Sequence, residues 1–349
     1  MTTNPIPILP YDTHIAKALE TLNDLGPGGI DSLRWSMSVL VYRLSKILCA
    51  VDAPSQPVSA LLAQDLETSL RTYPDLKAHE TGLRKATGLL TQLLQYAGWY
   101  SIDRVVMRTR PAFTDNIAPH QSASMQSTGK PYSSWGRPLP FRPLYCALGA
   151  FALAFPVRAD ARRYEAPPGE ESLLYAGGSD KPKVREDMQR TFATLLDACD
   201  YQVGHWKAHF KSEANYDESG KAYMGSPAQR PERKGNCYWR KPKGSISPDV
   251  VVVRQRNQAP NKDNVTHVVD MKFGKDSLGD EQGQSYTNMF GGERFYVLYF
   301  PEDCQTGEPE EVKQPDWVKV LLATLMLLLT RGRGGGRLPG QGPRPVPAH

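Results

Sequence analysis

The chain has 349 residues, 40% of them hydrophobic and 23% charged. That length suits two domains, or one with a large extension, and the composition supports a sizeable core. A formal net charge of +5 and a pI near 8.8 are compatible with nucleic acid without being diagnostic of it.

Five cysteines (Cys49, Cys146, Cys199, Cys237, Cys304) stand singly, with no CxxC pair. This spacing argues against a zinc ribbon and a disulfide scaffold, and for folding in a reducing cytoplasm. The opening MTTNPIPILPYDTH lacks the charged and apolar regions of a Sec signal. The longest apolar run, Val320 to Leu329, is too short to span a bilayer and reads as a buried helix.

Residues 12–110 read as helical. Asp12 is placed to cap a helix carrying Ile15, Ala18, Leu19 and Leu22, with Gly26 as its stop. Asp31 is placed to cap a second, with Leu33, Met37, Leu40, Leu44, Ile47 and Leu48 on one face. A third carries Leu83, Ala86, Leu90, Leu93, Ala97 and Tyr100. Such stripes are core, so residues 1–110 are expected to form a helical bundle. Residues 111–181 read as linker and irregular chain, within which LYCALGAFALAF fits either helix or strand.

From Pro182 the pattern changes. PKVREDMQRTFATLLDACDYQVGHWKAHF reads as one helix, with Met188, Phe192, Leu195, Leu196 and Cys199 on its apolar face. NCYWR suits a short strand, and PDVVVVR and THVVDMKF suit central strands rich in β-branched residues. GDEQGQSYTNMFG reads as a helix stopped by Gly291, and RFYVLYF as a final strand. The expected order is α-β-β-β-α-β.

Asp249 opens the first valine run, and Asp270 closes the second, two positions before Lys272. If these strands pair, the two carboxylates meet where the strands diverge. Carboxylates held close repel one another and favour a cation between them. The set offers oxygen ligands only, which suits Mg²⁺ or Mn²⁺ better than zinc. Lys272, two residues beyond Asp270, shares its face of the strand and could act on an attacking water or on charge at phosphorus.

Pro248-Asp249 followed by Asp270-Met271-Lys272 resembles the PD-(D/E)xK signature of restriction-endonuclease-like nucleases. The continuation MKFGKDSLGDEQGQSYTNMFGG is similar to VRR-NUC and related restriction-endonuclease-fold toxin domains, and the resemblance spans about Pro182 to Cys304. Pattern and composition together give an α+β chain with an N-terminal helical region (1–110), a linker (111–181), a C-terminal helix (305–330) and a Gly/Pro/Arg-rich tail (331–349), and the resemblance implies a restriction-endonuclease-like nuclease core (182–304). It implies an Mg²⁺-dependent DNA endonuclease in which Asp249 and Asp270, with the Met271 carbonyl, hold the metal. Lys272 would be catalytic, Gln282 would orient substrate or water, and Glu186 (or Asp187) would add an upstream acid. Tyr286 would join Gln282 on one helix face and contact DNA. Asp270 departs from the Glu that many VRR-NUC members carry.

The resemblance extends to type VI secretion effectors, made in the producer's cytoplasm and delivered without a Sec signal to a target cell. It implies an immunity protein, an adaptor chaperone and a PAAR or VgrG spike component as partners. A housekeeping or phage repair nuclease, or a DNA-binding protein on a degenerate nuclease fold, are the alternatives. Just upstream, PERKGNCYWRKPKG supplies Arg233, Lys234, Trp239, Arg240 and Lys241, a mix suited to phosphates and bases or to a solvated loop. HWKAH places His205 and His209 four apart without the Glu of HExxH, and reads as helix packing or a solvated face. No GxGxxG, GxxxxGK[ST] or hydrolase elbow occurs.

Overall fold

The computed structural model describes residues 26–50, 56–103, 130, 132–134, 137–158, 183–204, 206–222 and 244–304. Among the described residues, five α-helices come first: α1 (Gly26–Ala50), α2 (Val58–Thr72), α3 (Glu80–Asp103), α4 (Arg142–Ala154) and α5 (Lys183–Gly204). Strands β1 (Phe210–Ser212), β2 (Val250–Val253) and β3 (Val265–Phe273) follow, then α6 (Asp280–Phe290) and β4 (Phe295–Phe300). The chain is α+β, with five of the described α-helices ahead of the strands, α6 between β3 and β4, and a four-stranded mixed sheet.

The apolar stripes do what their spacing predicts. Leu33, Met37, Leu40, Leu44 and Leu48 of α1 are buried, as are Leu83, Ala86, Leu90 and Leu93 of α3. These side chains join one continuous cluster with Phe192, Leu195, Leu196 and Cys199 of α5 and with Val250, Val269, Met271 and Phe300 of the sheet. The helical residues and the sheet therefore share a core. Each fully buried large apolar side chain contributes about 1.5–3 kcal/mol to it.

Several boundaries differ from the expected ones. Gly26 opens α1 rather than stopping a helix, and Asp31 lies within α1, where it pairs with Arg34 at 3.5 Å. Pro27 tolerates the first turn because its missing N–H would have no partner there. LYCALGAFALAF is helical, buried almost all round within α4. Helix α5 ends at Gly204 and Phe210–Ser212 form β1, so His209 lies outside the expected helix, while His205 falls outside the described residues. Instead, His209 Nδ1 sits 2.8 Å from the Val253 carbonyl oxygen. The expected helix over residues 15–22, the NCYWR strand, the 305–330 helix and the tail lie outside the described residues.

The cysteine reading needs correction. Cys146 of α4 and Cys304, just beyond β4, form a disulfide across 158 residues of sequence. Local spacing carries no signal of so distant a pairing. Around it, the Asp303 carboxylate accepts hydrogen bonds from Ser133 Oγ (2.9 Å), Ser134 Oγ (3.2 Å) and the Tyr299 N–H (3.0 Å). Arg142 donates to the Asp303 and Ser134 carbonyls. No helix among the described residues is long and apolar enough to cross a membrane.

The strand order is β1-β2-β3-β4, with β1–β2 and β2–β3 antiparallel and β3–β4 parallel. Alternation along β3 separates two faces. Val269, Met271 and Phe273 enter the core shared with the helices. Val268 turns the other way and packs with Tyr286 and Phe290 of α6. The sheet thus lies between the helical layer and α6, and Asp270 and Lys272 point to the α6 side.

Candidate active site

The register of β2 and β3 brings the acids together. Val250 pairs with Val269, so Asp249, one residue before β2, lies beside the stretch of β3 that carries Asp270 and Met271. The Met271 N–H donates to Asp249 Oδ2 at 2.6 Å. A residue's own N–H and C=O face the same neighbouring strand, so the Met271 carbonyl points to the Asp249 side, beyond the last β2–β3 pair.

Across this face lies α6. Gln282 and Tyr286 are one turn apart and converge on β3. Gln282 Nε2 donates to Asp270 Oδ1 at 3.1 Å, and Gln282 Oε1 accepts from Lys272 Nζ at 3.2 Å. Lys272 Nζ lies 2.5 Å from Asp270 Oδ2 in an ion pair buried to within 2% on both sides. Gln282 Nε2 also reaches Tyr286 Oη at 3.2 Å, and the Tyr286 hydroxyl donates to the Ser247 carbonyl at 3.0 Å.

Burial pushes the Asp249 carboxyl well above the usual carboxylate range, and the Asp270 and Glu213 charges add to the shift. The Met271 N–H and the Lys272 charge act in the opposite direction. Tyr286 is likewise held as a neutral phenol, chiefly by burial and then by Asp270 and Asp249. Tyr299, paired with Lys272 across β3–β4, is pushed up to about 12 by burial and then by Asp303, Asp270 and Asp276.

These donors fit a hard divalent cation. Two neighbouring carboxylates destabilise each other without a positive charge between them. With the Met271 carbonyl they form an all-oxygen set suited to Mg²⁺ or Mn²⁺. Among the described residues, no group of three or more His, Cys, Asp or Glu is disposed to hold a metal. An ion here would therefore rest on two carboxylates and main chain, with water completing its shell.

Asp249, Asp270, Lys272, Gln282 and the Met271 main chain are thus brought to one place. Tyr286 is there too, but it cannot stack on a base: its side chain is buried beneath α6 against Phe295. Its hydroxyl, not its ring, faces the cluster. Glu186 lies in α5, and its side chain and that of Asp187 are outside the described residues. So are Arg233, Lys234, Trp239, Arg240 and Lys241.

Two contributors went unseen in the sequence. Glu213, at the end of β1, donates its main-chain N–H to the Asp249 carbonyl at 3.0 Å. It was hidden because the α5 pattern ran on through HWKAHF. Tyr299 falls in the expected strand RFYVLYF, but only the parallel register places it beside Lys272. No protein-family model, curated protein or solved structure matches the chain.

Proposed function

We propose that this chain is a metal-dependent nuclease that hydrolyses phosphodiester bonds, with DNA as its substrate. The observation that carries the reading is the meeting of Asp249, Asp270 and Lys272 at neighbouring strands with Gln282 of α6 above them. The α-β-β-β-α-β order from α5 to β4 and the PD-(D/E)xK resemblance support it further.

Asp249, Asp270 and the Met271 carbonyl would hold Mg²⁺ or Mn²⁺. When bound, the ion supplies Lewis acidity to the scissile phosphodiester. The Met271 N–H fixes the Asp249 carboxylate, and Gln282 fixes Asp270. An ammonium has three N–H donors. Lys272 directs one to Gln282 Oε1 and sets its charge against Asp270 Oδ2, which leaves a donor for a phosphate oxygen or the attacking water.

By the same resemblance we propose an antibacterial toxin, exported by a type VI secretion system with an adaptor and a PAAR or VgrG component. A cognate immunity protein would neutralise it in the producer. Induced expression in a bacterial cytoplasm tests this: the proposal predicts growth arrest with loss of chromosomal DNA, relieved by Asp249→Asn. Unimpaired growth with intact DNA would count against it.

One observation favours a second reading. Asp270, Lys272 and Gln282 satisfy one another in a buried cluster, as they would in a DNA-binding protein on a degenerate nuclease fold. Under that reading DNA binding survives Asp249→Asn and no cleavage occurs in any metal.

A further inference from the structure

We infer that Tyr286 is a positioning residue that sets both the Asp249 turn and the orientation of the Gln282 amide; this rests on the nuclease reading. The hydroxyl has one proton, and it is directed to the Ser247 carbonyl, two residues before Asp249. A lone pair is therefore what Tyr286 presents to Gln282, and only the NH₂ end of that amide can meet it. The carbonyl end must then face Lys272, as it does at 3.2 Å. With the amide reversed, its NH₂ would face the Lys272 ammonium, donor against donor.

The order of polarity runs through the site: Lys272 to Gln282, Gln282 to Tyr286, and Tyr286 to Ser247. Its far end holds the strand entry that presents Asp249 to the Met271 N–H at 2.6 Å. Tyr286 touches neither substrate nor metal in this scheme. It acts through Gln282 and the main chain, and its burial against Phe295 keeps it from any other partner in solvent.

Tyr286→Phe removes the hydroxyl and keeps the ring. The test combines site-resolved hydrogen–deuterium exchange with plasmid cleavage in Mg²⁺. The Met271 amide should exchange about tenfold faster in Tyr286→Phe, while Val269 and Val297 keep wild-type rates. The value of kcat should fall about tenfold with KM unchanged. Tyr132→Phe, whose hydroxyl instead accepts from Thr287 Oγ1 at 3.3 Å, should change neither. Gln282→Met should lower kcat but leave Met271 protected, because the Tyr286–Ser247 bond remains.

A wild-type Met271 exchange rate in Tyr286→Phe overturns the inference. So does acceleration spread equally over Val269 and Val297, which would mark general loosening. If wild-type protein cleaves nothing, the nuclease reading fails, and the exchange rates alone then decide whether the clamp exists.

Discussion

Lys272 Nζ lies 2.5 Å from Asp270 Oδ2, two positions away on the same face of β3, and both side chains are almost wholly buried. Neither charge can lose the other cheaply. Lys272→Met should strand the Asp270 charge and destabilise the chain by on the order of 3–5 kcal/mol. The double variant Asp270→Asn/Lys272→Met should recover most of that loss. Urea unfolding of the four proteins measures the coupling, and additive effects would contradict it.

Asp249 behaves differently. Burial and the Asp270 charge both oppose its ionised form, so Asp249→Asn should raise Tm in the absence of metal while abolishing cleavage. The asparagine carbonyl can still accept the Met271 N–H. Added Mg²⁺ should raise the Tm of the wild type but not of Asp249→Asn, since only a state that binds the ion gains stability from it. Thermal melts with Mg²⁺ and with EDTA check both statements.

His267 carries the pH prediction. Burial, then Arg137 and Arg294, lower its pKa to about 4. The unfolded chain therefore binds more protons than the folded one between about pH 6.5 and 4, and stability must fall as pH drops through that window. His267→Gln should flatten this part of the stability curve. A difference curve between the two proteins, from urea midpoints at several pH values, isolates the effect from other acids.

A second buried pair anchors β1 to α5. Lys211 Nζ donates to Asp200 Oδ2 at 2.7 Å and to the Trp206 carbonyl at 2.9 Å, and Asp200 Oδ1 accepts the Ala208 N–H at 2.8 Å. Asp200→Asn should cost on the order of 3–5 kcal/mol by leaving Lys211 charged and buried. Because Glu213 follows β1 and binds the Asp249 main chain, the same variant should also slow cleavage. Chemical denaturation and initial rates report the two effects separately.

What the sequence made legible follows from period and charge. The 3.6-residue stripes of α1, α3 and α5 and the valine runs of β2 and β3 announced their elements. Asp249, Asp270 and Lys272 stood out because acids and a lysine at the ends of buried strands need a chemical reason, whereas Gln282 was pointed to only by the family resemblance. Long-range register was not legible. The Cys146–Cys304 bond, the Tyr299–Lys272 neighbour relation and the Glu213 contact each depend on which distant segments pair. Tyr286 was placed on the correct helix face but given the wrong surface, since an aromatic four residues after Gln282 can face either DNA or the sheet. Burial decides that choice, and burial depends on packing rather than on local pattern.

The most direct measurement is incubation of supercoiled plasmid with purified protein in Mg²⁺, beside an EDTA control and Asp249→Asn. The variant is chosen because it should fold at least as well as the wild type. The account predicts conversion to nicked and linear forms by wild-type protein in Mg²⁺, and none in EDTA or with Asp249→Asn. Intact plasmid after incubation with folded wild-type protein in either Mg²⁺ or Mn²⁺, or cleavage by Asp249→Asn at the wild-type rate, would contradict it.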